Sequence, residues 1–162
     1  MIIYSIVEEF MEWIKTKSEL KFNPQPKTFP IYYNCIYWAY LGCNLGSEEG
    51  KHRPVIVTRT YKNSTMVTVI PLTSKRLNDG YQFHVDMETI DSTALVEQMR
   101  VIDVVRIEKP MYKNGKILSL ANNDLDAIDN QVRRQYLISK PKKQKKPDDD
   151  TKNIDNHYSD DV

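Results

Sequence analysis

Apolar residues at Ile3, Ile6, Val7, Phe10, Trp13 and Ile14 recur at helical spacing and predict an N-terminal helix. Glu8, Glu9 and Glu12 interrupt the stripe too early for a signal peptide or a membrane span, so a cytoplasmic chain is expected. A helix of this length does not stay ordered alone in water, and its stripe of Ile3, Val7, Phe10 and Ile14 is expected to dock on the rest of the chain or on a partner subunit. The three prolines of "NPQPKTFP", residues 23 to 30, forbid helix and predict an extended connector. From Ile31 the pattern changes to short runs rich in Ile, Val, Tyr and Thr: "IYYNCIYWAYL", "RPVIVTR", "MVTVIPL", "YQFHVDM" and "TALVEQMRVIDVVRI". Turn-forming stretches separate them, as with "YKNS" at 61 to 64 and "LNDGY" at 77 to 81. Strands this short and closely spaced predict a mainly β chain built on a small, strongly bent sheet or barrel rather than a parallel α/β sheet. "ANNDLDAIDNQVRRQYLI" then restores the helical period, with Leu125, Ile128, Val132 and Tyr136 on one stripe and Asn122 or Asn123 placed to cap it. From Lys140 onward a lysine block and an acidic block offer nothing to bury, which predicts a disordered charged tail over 140–162.

Composition narrows the function classes. A chain of 162 residues with apolar content near the globular norm fits one domain with a single modest core. Its formal net charge is +1, so any attraction to nucleic acid must come from local clustering of cations. Cys35 and Cys43 form no CxxC, and His52, His84 and His157 lie far apart in the chain, so no zinc site, other metal, cofactor or disulfide framework is expected.

One local cluster does stand out. "GSEEGKHRP", residues 46 to 54, crowds two carboxylates, Lys51, His52 and Arg53 into a loop that runs directly into the apolar "VIVTR". Gly46 and Gly50 let the loop fold back closely, and Pro54 fixes the backbone beyond Arg53. The loop thus delivers Arg53 to the first position of a strand, where a rigidly mounted guanidinium is suited to gripping a phosphate bidentately. The plain alternative is an ordinary charged hairpin in which Arg53 pairs with Glu48 or Glu49. His52 has the unperturbed pKa nearest neutrality, yet on a strand that already begins at His52 it points to the opposite face from Arg53.

"IYWAYLGCNLGSEEGKHRPVIVTR" resembles the toxins of the MazF/PemK family, whose first strand ends in a "YW.DL....GSEQ...RP.LV" signature. The resemblance continues in register through "VIPLTSK" at 69 to 75, "STALVEQMRVID" at 92 to 103 and the helix in "LSLANNDLDAIDNQVRRQYL". It implies an SH3-like β-barrel over 31–139, preceded by an extra helix and connector over 1–30 and closed by a C-terminal helix. It also implies a homodimer, a cognate antitoxin partner, and metal-independent, sequence-specific cleavage of single-stranded RNA. Without a metal, an RNase can use the substrate's own 2′-hydroxyl as nucleophile, provided the site holds the phosphate in line and neutralises the charge that builds on its oxygens. By the resemblance, Arg53 supplies that charge, Thr73 hydrogen-bonds a phosphate oxygen, and Glu48 is the carboxylate that takes the 2′-proton, with arginine itself as the alternative acid and base. Ser47, Gln98 and Arg100 match positions near the family's RNA groove, where Gln98 would read a base edge and Arg100 hold backbone phosphate. His52 is expected at the RNA or subunit surface rather than in the chemistry, and Asp103 is expected to tie a turn.

The chain departs from the family pattern at Tyr40, where an acid is common, at Glu49, where the family has Gln, and at Asn34-Cys35, where a Gly and an acid are typical. Two rival readings share the fold: a non-enzymatic toxin that poisons DNA gyrase by binding it, and a catalytically inactive RNA-binding module. The Arg53 and Thr73 pairing favours the enzyme, because a gyrase binder has no need of phosphate-stabilising groups in a groove.

Overall fold

The computed structural model describes residues 2 to 137. Helix α1 spans Ile2–Phe22, and after the connector come β1 (Cys35–Gly42), β2 (Lys51–Thr60) and β3 (Met66–Thr73). The short strands β4 (His84–Asp86), β5 (Thr93–Leu95), β6 (Arg100–Asp103) and β7 (Ile107–Pro110) follow, then the hairpin of β8 (Tyr112–Lys113) and β9 (Lys116–Ile117), and finally α2 (Asn122–Tyr136). One seven-stranded sheet runs β4-β5-β3-β2-β1-β7, with β6 beside β3. β3 divides one edge between two partners, pairing β6 along Met66 to Val69 and β5 at Leu72 and Thr73. The mainly β, strongly bent sheet that the sequence predicts is present, with no ladder among the described strands that closes it into a complete barrel. β6 and β7 meet through a 3-10 turn at Val104–Arg106, and the sheet path ends at β4 and β7.

The apolar runs "VIVT" and "VTVIPL" are continuous because both faces of the central strands are buried, which removes the polar alternation of a half-exposed sheet. Tyr37, Ala39, Val55, Val57, Val67 and Val69 point into one core with Ile102 and Ile107. The alternate positions Ile36, Ile56, Ile70 and Leu72 form a second core with Ala94, Val96, Leu120 and Ile128. α2 covers this second face, and Leu125 and Val132 pack beside Ile128, as the stripe predicts.

Three expectations change. "TALVEQMRVIDVVRI" is broken by 3-10 turns at Val96–Gln98 and Val104–Arg106, the second fixed by Asp103, whose Oδ1 accepts from Val105 N at 2.8 Å. Neither Asn122 nor Asn123 caps α2. The N-cap position is Ala121, whose N–H is accepted by Thr89 Oγ1 at 2.8 Å, while buried Asp124 accepts from the N–H groups of Glu88 and Thr89 at 2.8 and 3.0 Å. A carboxylate in the first turn thus anchors a remote loop. The third change concerns α1, whose stripe does not dock on the sheet: Val7, Phe10 and Ile14 are 53%, 48% and 42% exposed. The helix lies on the sheet through half-buried Trp13, Thr16 and Leu20, with the Trp13 ring against Gly42 and the Arg106 guanidinium 5.3 Å from its centre. The connector is fastened by Lys27, whose ammonium donates to the carbonyls of Val105 and Ile107, and by the Tyr37 hydroxyl, which accepts from Tyr32 N at 2.8 Å and donates to Pro30 O at 3.2 Å. Burial pulls the Lys27 pKa down, against the opposing pull of Glu108 and Asp103. The expected charged tail over 140–162 lies outside the described residues.

Candidate functional site

The β1–β2 loop folds back on itself through a contact that only glycine permits: a Cβ on Gly50 would lie 2.4 Å from the Gly42 carbonyl oxygen. Three side chains then clamp the peptide of Glu49. Asn44 Nδ2 donates to its carbonyl at 2.6 Å, Arg100 Nη2 donates to the same oxygen at 2.6 Å, and Gln98 Oε1 accepts from its N–H at 3.2 Å. Gln98 Nε2 also reaches the Ser47 carbonyl at 3.4 Å. The 3-10 turn that ends at Gln98 and the strand that starts at Arg100 therefore hold the loop in one place.

On this scaffold sits Arg53, the third residue of β2 rather than its first, because the strand already begins at Lys51. Its Nε donates to Gly50 O at 2.7 Å, and its Nη2 pairs with the Glu49 carboxylate at 2.7 Å. The side chains of Arg53 and Glu49 are 17% and 18% exposed, so the pair is largely withdrawn from solvent screening. Arg53 is at once the rigidly mounted guanidinium and the partner of a neighbouring carboxylate. That carboxylate is Glu49. Glu48 is exposed, with its N–H bonded to Leu45 O at 3.1 Å, and its charge acts on Arg100. Burial lowers the pKa of Arg100; Glu48 opposes that, while Arg106 and Arg53 add to it, so two guanidiniums face the same loop.

Thr73 ends β3. The β2–β3 ladder begins at Val55 opposite Pro71, and beyond it Leu72 and Thr73 pair with β5, so Thr73 lies past the end of that ladder, on the strand next to the one that carries Arg53. Its Oγ1 accepts from Lys75 N at 3.3 Å. His52 lies on the other face, as strand alternation predicts. It stacks on Trp38 at 5.2 Å and Tyr40 at 4.5 Å between ring centres, and its Nε2 meets Glu108 Oε2 at 3.1 Å. The Tyr40 hydroxyl donates to the other oxygen of Glu108 at 3.2 Å, so β7 supplies a carboxylate beside Tyr40. The structure thus brings Arg53, Gln98, Arg100 and the Ser47 backbone together, leaves Thr73 at the end of the neighbouring strand β3 and Glu48 at the exposed margin, and sets His52 apart. Asn44, Glu108 and the clamping of Glu49 were not foreseen. Each depends on a partner brought in by tertiary folding or loop reversal, which no local spacing encodes.

Residues 34–136 match the family model described as PemK-like, MazF-like toxin of type II toxin-antitoxin system. The chain belongs to this toxin family. No curated protein matches it significantly. Among solved structures, MazF (Form-I) from Deinococcus radiodurans is 18% identical with a TM-score of 0.53, over 65% of this chain and 96% of that one. The MazE-MazF complex (Form-II) from the same organism contains a chain 16% identical with a TM-score of 0.51, over 68% and 99%. The likeness shows a MazF-like fold, with the bent sheet and α2 inside the matched region and α1 and the connector before it. Every residue of the Arg53 cluster falls within the match, including Glu49, where the MazF/PemK pattern has Gln. Among the described residues no group of three or more His, Cys, Asp or Glu side chains comes together as a metal site, and no helix is long and apolar enough to cross a membrane.

Proposed function

We propose that the protein is the toxin of a toxin-antitoxin pair and acts in the cytoplasm as a metal-independent, sequence-specific endoribonuclease on single-stranded RNA. The observation that carries the reading is Arg53. Its guanidinium is mostly buried, anchored through Nε to the Gly50 carbonyl and close to Arg100, and Thr73 ends the neighbouring strand. Such preorganised donors are what a developing phosphorane charge requires. In the reaction the substrate's 2′-oxygen bonds to phosphorus as the bond to the 5′-oxygen breaks, leaving a 2′,3′-cyclic phosphate on one fragment and a 5′-hydroxyl on the other. Arg53 balances the charge on the non-bridging oxygens and Thr73 donates a hydrogen bond to one of them. Glu48, at the exposed margin of the loop, takes the 2′-proton, and the departing 5′-oxygen takes up a proton from water. Ser47, Gln98 and Arg100 line the approach of the RNA strand, and His52 contributes surface on the reverse of β2. The active form is a homodimer, and the cognate antitoxin presents acidic side chains to Arg53 and Arg100, competing with phosphate for the same donors.

The test is cleavage of a long RNA in EDTA by the wild type, Arg53→Ala and Thr73→Ala. Loss of Arg53 should slow cutting by about a hundredfold or more, and loss of Thr73 by less. An Arg53→Ala protein that cuts as fast as wild type overturns the assignment.

A further inference from the structure

In this structure the donors assigned to the scissile phosphate are already in use. Arg53 Nη2 is 2.7 Å from Glu49 Oε2, and the two side chains are nearly equally buried. A carboxylate and a phosphate present similar anionic oxygens to a guanidinium, so they compete for one set of N–H groups. We infer that Glu49 is a tethered occupant of the phosphate position: a specificity- and rate-determining residue whose carboxylate the incoming RNA must displace from Arg53. The inference rests on the reading of Arg53 as the phosphate-binding group.

The surroundings make such an exchange feasible without moving the scaffold. The backbone of Glu49 is pinned on both sides of its peptide by Asn44, Gln98 and Arg100, and the following residue cannot shift because Gly50 is packed against the Gly42 carbonyl. Arg53 keeps its second anchor, the Nε donation to Gly50 O, whichever anion occupies Nη2. Only the Glu49 side chain has to rotate. Displacement also turns a carboxylate loose beside an arriving polyanion, which penalises every phosphodiester and leaves cleavage to strands whose other contacts along the groove make up the difference. A glutamine at 49 would fill the same volume without that charge.

The experiment measures two quantities for wild type, Glu49→Gln, Arg53→Ala and the double variant: the affinity for a single-stranded RNA of randomised sequence carrying 2′-O-methyl groups, which cannot be cut, and the single-turnover cleavage rate on a long natural RNA. Glu49→Gln should tighten binding of the probe by about three- to tenfold and speed cleavage, with a broader set of cut positions. In the Arg53→Ala background the same substitution should leave probe affinity unchanged, because the effect runs through Arg53. Equal tightening in both backgrounds would mean general charge repulsion and overturn the inference. Weaker binding or slower cutting by Glu49→Gln would make Glu49 a supporting residue and overturn it as well. If Arg53→Ala itself binds and cuts like wild type, the underlying assignment of Arg53 has failed, and that outcome is distinct from the other two. Glutamine matches glutamate in shape, and a thermal melt of each variant separates binding effects from misfolding; if Arg53→Ala melts early, Arg53→Gln, which keeps a long polar side chain without the charge, takes its place in the cycle.

Discussion

Glu108 shows how much of the site's surroundings rests on single carboxylates. Burial acts to raise its pKa, but His52, Lys109 and the Tyr40 hydroxyl together outweigh burial and hold it below the ordinary carboxylate value. A carboxylate with a depressed folded pKa adds stability that is present above its unfolded value and is lost as pH falls through the folded one. The wild-type melting temperature should therefore fall as the pH drops below about 4.3, the ordinary glutamate value, and Glu108→Gln should show a shallower acid decline. Identical acid limbs in the two proteins would show that Glu108 is not coupled to folding. The sequence placed Arg53 within two residues of its observed position in β2 and put His52 on the other face, because both follow from strand alternation next to "GKHRP". It gave no hint of Glu108, which lies 56 positions beyond His52 and reaches it only once β7 pairs with β1.

Among the elements, the strands and α2 were legible and α1 only half so. Periodicity identifies α1 as a helix but ranks its apolar positions by number, and the sheet selects by shape instead. It takes the flat indole of Trp13, which fits over Gly42 where no side chain intervenes, and leaves Val7, Phe10 and Ile14 outward. Trp13→Ala should lower the melting temperature, since losing the half-buried ring costs at most about 3 kcal/mol, and should do so nearly as much as deletion of residues 1 to 22. Phe10→Ser should leave the melting temperature of the isolated subunit within about a degree or two of wild type. Thermal melts of the three variants decide between Trp13 and Phe10 as the docking residue. The broken run "TALVEQMRVIDVVRI" was illegible for a different reason: its composition suits strand throughout, and the interruption at Val104–Arg106 comes from Asp103 bonding ahead to Val105.

At the scale of the whole molecule, the exposed Val7, Phe10 and Ile14 add to the reasons for expecting a second subunit. Light scattering at micromolar concentration should give twice the chain mass. A monomer that retains full cleavage activity would remove the dimer from the proposal. The proposed chemistry stands apart from subunit number: a phosphate held by Arg53 is cut by the RNA's own 2′-hydroxyl. Its most direct test is to incubate the purified protein with a long RNA in EDTA and identify the chemistry of the new ends. Discrete cuts bearing 2′,3′-cyclic phosphate and 5′-hydroxyl, abolished by Arg53→Ala, are predicted. Fragments carrying 3′-hydroxyl and 5′-phosphate, or intact RNA from a folded wild-type protein, would contradict it.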